Sequence, residues 1–344
     1  MVQHVTTRLA SWSMADFTGG PFPLTLPLAL MQWILDFTQS YIMPGVILIG
    51  LFGNTLSLVI FFRLRNREDA CVQYLSCLAV SDNGVILLLG LTEWIAFGLK
   101  YLTDGKISFN LMTQSGLTCR LQHFMLQCCM CVSAWTIVTF SIERAYVVWF
   151  PFNRAKISSR FRLKVICSTW LTAAVIGGRH FLLDTFPGTP VLCYYNVEPT
   201  LADVLWHLDT VLYSYAPCAL ISLTNLLILI AIFKSRAARG LGRQTQRTTH
   251  EGKLLVSLLL VSTLFIILVM PLNTSFTYLA DEQNNLPPED ALFIYLIIKF
   301  LTLVCVLNYC INFIVYGCTL PYYREEAVKL LLCKKFQPKT SFSK

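Results

Sequence analysis

Residues 115–149 read SGLTCRLQHFMLQCCMCVSAWTIVTFSIERAYVVW, an apolar stretch in which Arg120, Glu143 and Arg144 are the only charged side chains. An α-helix rises about 1.5 Å per residue, so the part from Cys119 to Arg144 covers about 37 Å, more than the ~30 Å of hydrocarbon in a bilayer. The stretch therefore predicts a transmembrane helix with a cysteine at one membrane surface and an acid–base pair at the other.

Six further apolar stretches of membrane-crossing length leave little sequence for a second domain. The chain has 344 residues, of which 55% are hydrophobic and 13% charged, whereas soluble proteins are about one quarter charged. This composition argues against a soluble enzyme and predicts an all-α membrane protein, a bundle of seven transmembrane helices. The predicted spans are residues 39–62, 71–97, 115–149, 161–183, 205–233, 252–279 and 291–318.

The two ends of the chain flank this transmembrane domain, residues 39–318. Residues 1–38 hold an apolar patch that is broken by prolines and lacks the basic start of a signal peptide, so we interpret them as an extracellular tail. Residues 319–344 begin with a segment, 322–333, that is too short and too charged to span but has apolar residues on one side of a helix. This segment predicts an amphipathic helix along the cytosolic interface, followed by a cytosolic tail.

The distribution of charge predicts the orientation in the membrane. Lys and Arg concentrate in one set of connections, and Asp and Glu in the other set. The positive-inside rule then places the amino terminus outside the cell and the carboxyl terminus in the cytosol, as expected for a multi-pass protein of the plasma membrane. Although the net charge is +8, the basic residues lie in short clusters between spans, which favours lipid headgroups over nucleic acid as their partner. These clusters lie in residues 63–67, 154–164, 234–253 and 324–344.

Most of the 13 cysteines fall inside predicted spans or at their cytosolic ends, where they are expected to be small apolar packing residues. Cys119 and Cys193 are the two that face an oxidising compartment, so we expect them to form a disulfide that ties the second outer loop over the bundle. Cys333, the last residue of the predicted amphipathic helix and followed by two lysines, is a candidate for palmitoylation.

Polar residues recur at one depth in the first, second, third and seventh spans. Asp82 is mid-span in the second, and ionisable groups at that depth are costly and mark functional sites. Separate interhelical hydrogen bonds are the alternative, because small polar residues commonly make them. We favour a shared polar core that holds water or a monovalent cation. Its members are Asn54, Asp82, Ser133, Asn308 and Asn312.

The Glu143-Arg144 pair ends the third span on the cytosolic side, and Glu251 opens the sixth span at the same face. A salt bridge from Arg144 to Glu251 would hold the cytosolic side closed, and partial exposure would make it weak enough to break.

These residues and their spacing resemble the rhodopsin-like family of G-protein-coupled receptors, from about residue 39 to residue 333. Each span carries one of the family's markers, in order. The markers are Gly53-Asn54, Leu78 to Asp82, Glu143-Arg144-Ala145, Trp170, Pro217, Pro271 and Asn312 to Tyr316.

The resemblance implies roles for the marked positions. Asp82, Ser133, Asn308 and Asn312 correspond to the family's allosteric sodium site, and no other cofactor is expected. On the cytosolic side the implied partner is a heterotrimeric G protein, with arrestin and a receptor kinase as further candidates. The residues assigned to G-protein coupling are Glu143, Arg144, Phe152, Asn225, Glu251 and Tyr316.

The departures from the family pattern concern its activation switches. Residues 268–271 read LVMP, so the usual tryptophan of the sixth helix is missing, although Phe265 is kept. Asn225 stands where the fifth helix usually has tyrosine, so Tyr316 lacks its usual phenol partner. Phe313 replaces a proline, which is expected to remove a kink and restore a backbone donor. The pattern resembles invertebrate-type peptide receptors.

The outer half of the bundle contains the candidate ligand residues. Leu126 stands where amine receptors carry aspartate, and Val306 where opsins carry the retinal lysine, so a short peptide, basic or amidated, is the expected ligand. Glu93 and Asp209 would form salt bridges with it, and Gln127 a deeper hydrogen bond. The full candidate set is Glu93, His123, Leu126, Gln127, Met130, Asp209, Asn273 and Lys299.

Other readings are a rhodopsin-like receptor for a non-peptide ligand, a secondary transporter and an intramembrane enzyme. A transporter would be expected to show inverted repeats and broken helices, which the sequence does not indicate. No catalytic motif of the serine hydrolase or zinc protease type is present. We therefore predict a receptor without enzyme activity.

Overall fold

The computed structural model describes residues 26–64, 72–107, 109–111, 114–150, 157–185, 193–239, 246–282 and 286–332. Within these residues, seven helices are long and apolar enough to cross a membrane. This confirms the predicted seven-helix bundle.

The spans are formed by helices that we number in chain order. The first two are α1, Leu26–Leu64, and α2, Val72–Leu102. The next two are α3, Gly116–Trp149, and α4, Ser159–Gly177, which is extended by the 3₁₀-helix Gly178–Leu182. Helix α5 comprises Pro199–Thr210, the π-helix Val211–Tyr215 and Ala216–Arg239, and α6 is Gln246–Glu282. The seventh span is α7, Pro288–Cys310, and α8, Asn312–Thr319; α9, Pro321–Leu331, follows it.

Helix α3 forms the centre of the bundle. In the most apolar 18-residue segment of α3, 67% of the residues are buried, whereas the corresponding segments of the other six spans are 17–50% buried. Helix α3 also contacts α2, α4, α5 and α6. Ser115 caps its amino terminus, because the Ser115 hydroxyl accepts from the Thr118 amide while the Thr118 side chain bonds back to the Ser115 amide. The helix predicted from residues 115–149 is thus confirmed to within one residue.

Helix α1 begins 13 residues before the predicted start at residue 39, so part of the predicted tail is helical. The prediction treated Pro27 as a breaker, but Pro27 lies in the first turn, where the missing amide hydrogen costs nothing. Pro44 lies further inside the same helix, directly after the π-helix Thr38–Ile42. The carbonyl of Ser40, which Pro44 cannot bond, accepts a hydrogen bond from Trp94 Nε1 at 3.4 Å.

The seventh span is broken between α7 and α8, so the prediction that Phe313 removes the kink was wrong. Two side-chain contacts hold the break without proline. Asn312 Nδ2 donates to Asp82 at 2.7 Å, and the Phe313 ring lies so close to Gly53 that a Cβ there would come within 2.0 Å of a ring carbon.

The second outer loop adds a small sheet that the all-α prediction did not include. Strands β1, Leu183–Thr185, and β2, Cys193–Tyr195, pair antiparallel, with Thr185 opposite Cys193. Both strands contact α3. At the other end of the bundle, Tyr323 of α9 shares a 2.8 Å hydrogen bond with Ser57 of α1. The helix predicted at residues 322–333 is therefore present and docks on the first span.

Candidate functional site

Two of the polar residues predicted to share one depth, Ser133 and Asn312, converge on Asp82, which is fully buried. Ser133 Oγ donates to one carboxylate oxygen of Asp82 at 2.7 Å, and Asn312 Nδ2 donates to the other at 2.7 Å. Helices α2, α3 and α8 therefore meet at a single carboxylate.

Asn54 and Asn308, the other two predicted members, make no hydrogen bond to Asp82 in the part of the chain that the structure describes. Asn54 Nδ2 donates to the carbonyl of Tyr309 at 2.9 Å, a carbonyl in the last turn of α7 that has lost its helical partner at the break. Asn308, which directly precedes Tyr309 in the chain, is also buried. The side chains of the cluster offer carboxylate, hydroxyl and amide oxygens, which are ligands that a hard cation takes, so the residues present fit a sodium ion.

The carboxyl-terminal end of α3, predicted to be cytosolic, carries a buried chain of charges. Glu143 accepts from Arg144, its neighbour in the sequence, and also from Arg162 Nε of α4 at 2.9 Å. Arg162 Nη2 donates further to the carbonyl of Ile157. The role of Arg162 was not predicted, because no feature of the sequence indicates that the first turn of α4 lies next to Glu143.

Three predicted residues on this side fall outside the description. The side chain of Glu251 is not described, and Phe152 and Cys333 lie outside the described residues altogether. The bridge from Arg144 to Glu251 therefore stays a prediction.

Helices α5 and α6 are joined by a buried polar pair in the cytosolic half. Asn225 Nδ2 donates to Ser262 Oγ at 2.9 Å, and Ser262 Oγ donates back to Asn225 Oδ1 at 3.1 Å. Asn225 is thus engaged with α6 and not with Tyr316, whose buried hydroxyl has no hydrogen-bond partner among the described residues. Tyr316 also borders a small cavity of about 10 Å³ between α2, α3, α6 and α8.

In the outer half, Lys299 of α7 is held by an acid and two aromatic rings. Its ammonium group lies 3.1 Å from a carboxylate oxygen of Glu93 on α2. The same group lies 3.9 Å from the centre of the Phe97 ring and 5.9 Å from that of Tyr295. Both members of the ion pair are about one fifth exposed.

A second ion pair lies on the opposite side of the outer half. Asp209 of α5 pairs with Arg179 at the end of α4 and lies 3.6 Å from His180 Nε2. The ring of His180 stacks parallel to that of His123 on α3, with 6.1 Å between centroids. Both acids predicted to bind the ligand, Glu93 and Asp209, are therefore already paired within the protein.

The remaining candidate ligand residues lie deeper. Leu126 is buried, and Gln127 Nε2 donates to Cys131 Sγ at 3.4 Å. Met130 is partly buried against the core. Asn273 bonds the carbonyl of Val269 on its own helix. The structure thus spreads the predicted ligand set over two depths.

Of the two cysteines predicted to form a disulfide, the structure describes the side chain of Cys119 alone. Cys119 is fully buried and disulfide-bonded, whereas the side chain of Cys193 is not described. The backbone of Cys193 lies in β2, which contacts α3. The identity of the partner therefore stays a prediction.

Seven apolar helices around a buried polar cluster define a polytopic helical membrane protein. The sequence signature of the 7 transmembrane receptor (rhodopsin family) matches residues 53–316, well over half of the chain, and the chain belongs to this family. The family consists of receptors, so the protein is a receptor and not an enzyme.

Curated relatives from vertebrates and an insect are similar to parts of the chain. The growth hormone secretagogue receptor type 1 of Sus scrofa is 24% identical over 163 residues, 45% of this chain and 42% of the relative. The B1 bradykinin receptor of Canis lupus familiaris is 27% identical over 161 residues, 44% and 41%. The neuropeptide CCHamide-1 receptor of Drosophila melanogaster is 22% identical over 262 residues, 70% and 50%. The chain therefore spans half or less of the length of these relatives.

Proposed function

We propose that this receptor binds a short extracellular peptide and activates a heterotrimeric G protein. The observation that carries the proposal is helix α3, which joins the disulfide-bonded Cys119 at one end to the buried pair of Glu143 and Arg144 at the other. A single rigid element thereby connects the two membrane surfaces, and its centre, Ser133, bonds to the Asp82 cluster.

A peptide ligand is supported by the outer half and by the relatives. Two of the relatives named above are receptors for bradykinin and for the neuropeptide CCHamide-1 by their names. The acids Glu93 and Asp209 face the outer half at partial exposure. A basic or amidated peptide would pair with them in place of Lys299 and Arg179, so binding and rearrangement of the helices would be coupled.

We interpret the arrangement at this end of α3 as the closed state. Arg144 is buried and paired with Glu143, and Leu254 and Leu258 of α6 lie in the core. We expect activation to move α6 outward about Pro271, which would free Arg144 to contact the G protein. A ligand shifts this equilibrium only through its higher affinity for the open state. The coupling surface would include Phe152, Glu251 and the other cytosolic candidates.

The Asp82 cluster would hold sodium in the closed state. A cation bound there would neutralise the buried carboxylate and favour the arrangement in which α2, α3 and α8 converge. Ser133, Asn308 and Asn312 would supply further oxygen ligands.

Location and secondary partners follow from the same proposal. The receptor would lie in the plasma membrane with its amino terminus outside and its carboxyl terminus in the cytosol. Arrestin and a receptor kinase would act on the cytosolic side, and palmitoylation of Cys333 would fix α9 to the lipid surface.

The test is a screen of short amidated peptides on cells that express the receptor and report calcium and cyclic AMP. An active peptide should lose about 10- to 100-fold in potency on Glu93→Gln or Asp209→Asn, because each removes a charge-assisted contact. Arg144→Gln should abolish signalling and keep peptide binding. Signals that persist unchanged in all three variants would contradict the proposal.

A further inference from the structure

Two tyrosines of α5 and α7 meet inside the bundle, about one turn of α5 further along than the candidate ligand residue Asp209. The hydroxyls of Tyr213 on α5 and Tyr309 on α7 lie 2.9 Å apart and share a hydrogen bond. Cys305 Sγ, one turn of α7 above Tyr309, lies 3.5 Å from the Tyr213 hydroxyl. Tyr213 is 4% exposed and Tyr309 is fully buried.

The pair joins α5 to α7, and both of these helices contact α6. Val269 is fully buried and belongs to the same core cluster as both tyrosines. A helix pair that sits on either side of α6 is therefore joined directly. Tyr213 also lies in the π-helix Val211–Tyr215, and such irregular turns concentrate at functional positions.

Tyr309 also bonds in the opposite direction through its backbone. Its carbonyl accepts from Asn54 at 2.9 Å, and three residues further along the chain Asn312 donates to Asp82. One residue thus contacts the outer-half layer through its side chain and the Asp82 cluster through its main chain. Loss of the Tyr213 hydroxyl would therefore change the contacts of Tyr309, which lies next to the break between α7 and α8.

We propose that the hydrogen bond between Tyr213 and Tyr309 is the contact through which the outer pocket controls the helix bundle. In the closed state the bond holds α5 against α7, and an agonist acts by separating the two phenols. This inference rests on the proposed function. It assigns the signal to a pair of residues on α5 and α7 and not to an aromatic residue of α6.

The experiment compares wild type, Tyr213→Phe, Tyr309→Phe and the double variant, all purified in lipid nanodiscs without ligand. Tyr278→Phe is the matched control, since it removes an exposed tyrosyl hydroxyl from α6. One readout is basal nucleotide exchange on a panel of heterotrimeric G proteins. The other is hydrogen–deuterium exchange of α7 and α8, which needs no G protein, with the melting temperature as a check that each variant folds.

Each single variant is expected to raise basal nucleotide exchange about 3-fold and at most about 18-fold, the average and the maximum for loss of one interhelical hydrogen bond in a membrane protein. Deuterium uptake around the break should rise as well. The double variant should not exceed Tyr213→Phe, because that single variant already removes both the bond to Tyr309 and the contact with Cys305. Single variants that match Tyr278→Phe in both readouts, or singles whose effects add, would overturn the inference. Raised deuterium uptake without nucleotide exchange on any G protein, wild type included, would support the tyrosine pair and count against the proposed G-protein function.

Discussion

The hydrogen-bonded pair of Asn225 and Ser262 is the described side-chain link that most directly opposes outward movement of α6. Replacing Ser262 with Ala removes both of its hydrogen bonds to Asn225, at 2.9 and 3.1 Å, and leaves the buried amide of Asn225 without them. An interhelical hydrogen bond in a membrane protein contributes about 0.6 kcal/mol on average and up to about 1.7. Two such bonds therefore stabilise the closed state by roughly 1–2 kcal/mol, a factor of about 5–30 in the closed-to-open ratio.

The assay is basal guanine-nucleotide exchange by the purified receptor in nanodiscs, together with its melting temperature. Ser262→Ala is expected to raise basal exchange about 5- to 30-fold, and Asn225→Leu with Ser262→Ala should not exceed the single variant. Thr224→Val is the matched control, because within the described part of the chain the Thr224 hydroxyl bonds only to carbonyls of its own helix, those of Leu220 and Ile221.

Basal exchange in Ser262→Ala equal to that in Thr224→Val, with a folded receptor, would refute this reasoning. It would mean that the pair persists when α6 moves, so that it stabilises both states alike. A similar rise in both variants would attribute the effect to any lost hydroxyl on these helices.

Three further predictions concern stability and ions. Gly53→Ala should lower the melting temperature by several degrees, because overpacking against Phe313 costs about 1–3 kcal/mol. Adding Phe313→Ala should restore part of the loss. An unchanged melting curve for Gly53→Ala would contradict the contact. Sodium chloride should stabilise the wild type more than potassium chloride of equal ionic strength, and Asp82→Asn should abolish that difference. Arg162→Leu should destabilise the receptor by leaving the buried Glu143 with one partner fewer, and Glu143→Gln in the same chain should recover stability; additive losses in thermal melting would argue against the pair.

The sequence predicted the architecture because the membrane imposes long apolar helices with few charges. The boundaries of α3 were predicted to within one residue, since Ser115 and the polar residues around it mark the helix start. Residues that obey a fixed depth, such as Asp82 and Asn312, were also placed together correctly by their positions in the spans.

What the sequence did not predict depends on contacts between distant residues. The start of α1 was predicted too late because Pro27 was interpreted as a residue that breaks a helix. Proline is tolerated in the first turn, where Pro27 lies. The break after α7 depends on Asn312 reaching Asp82 and on Phe313 packing on Gly53. The ion pairs of Arg179 with Asp209 and of Arg162 with Glu143 depend on how the helices pack against each other. Local sequence does not determine that packing.

The central claim is that α3 places Cys119 outside the cell and Arg144 in the cytosol, and engineered glycosylation sites test it directly. Asp104→Asn with Lys106→Thr creates an Asn-Gly-Thr acceptor in the exposed turn before α3, where Asn tolerates the positive φ of 49°. Ile157→Asn creates Asn-Ser-Ser at the start of α4, beside Arg162 and the Arg144 end. Expressed in cells, the first variant should gain an endoglycosidase-sensitive glycan and the second should not. A glycan on the second variant, alone or together with one on the first, would contradict the account.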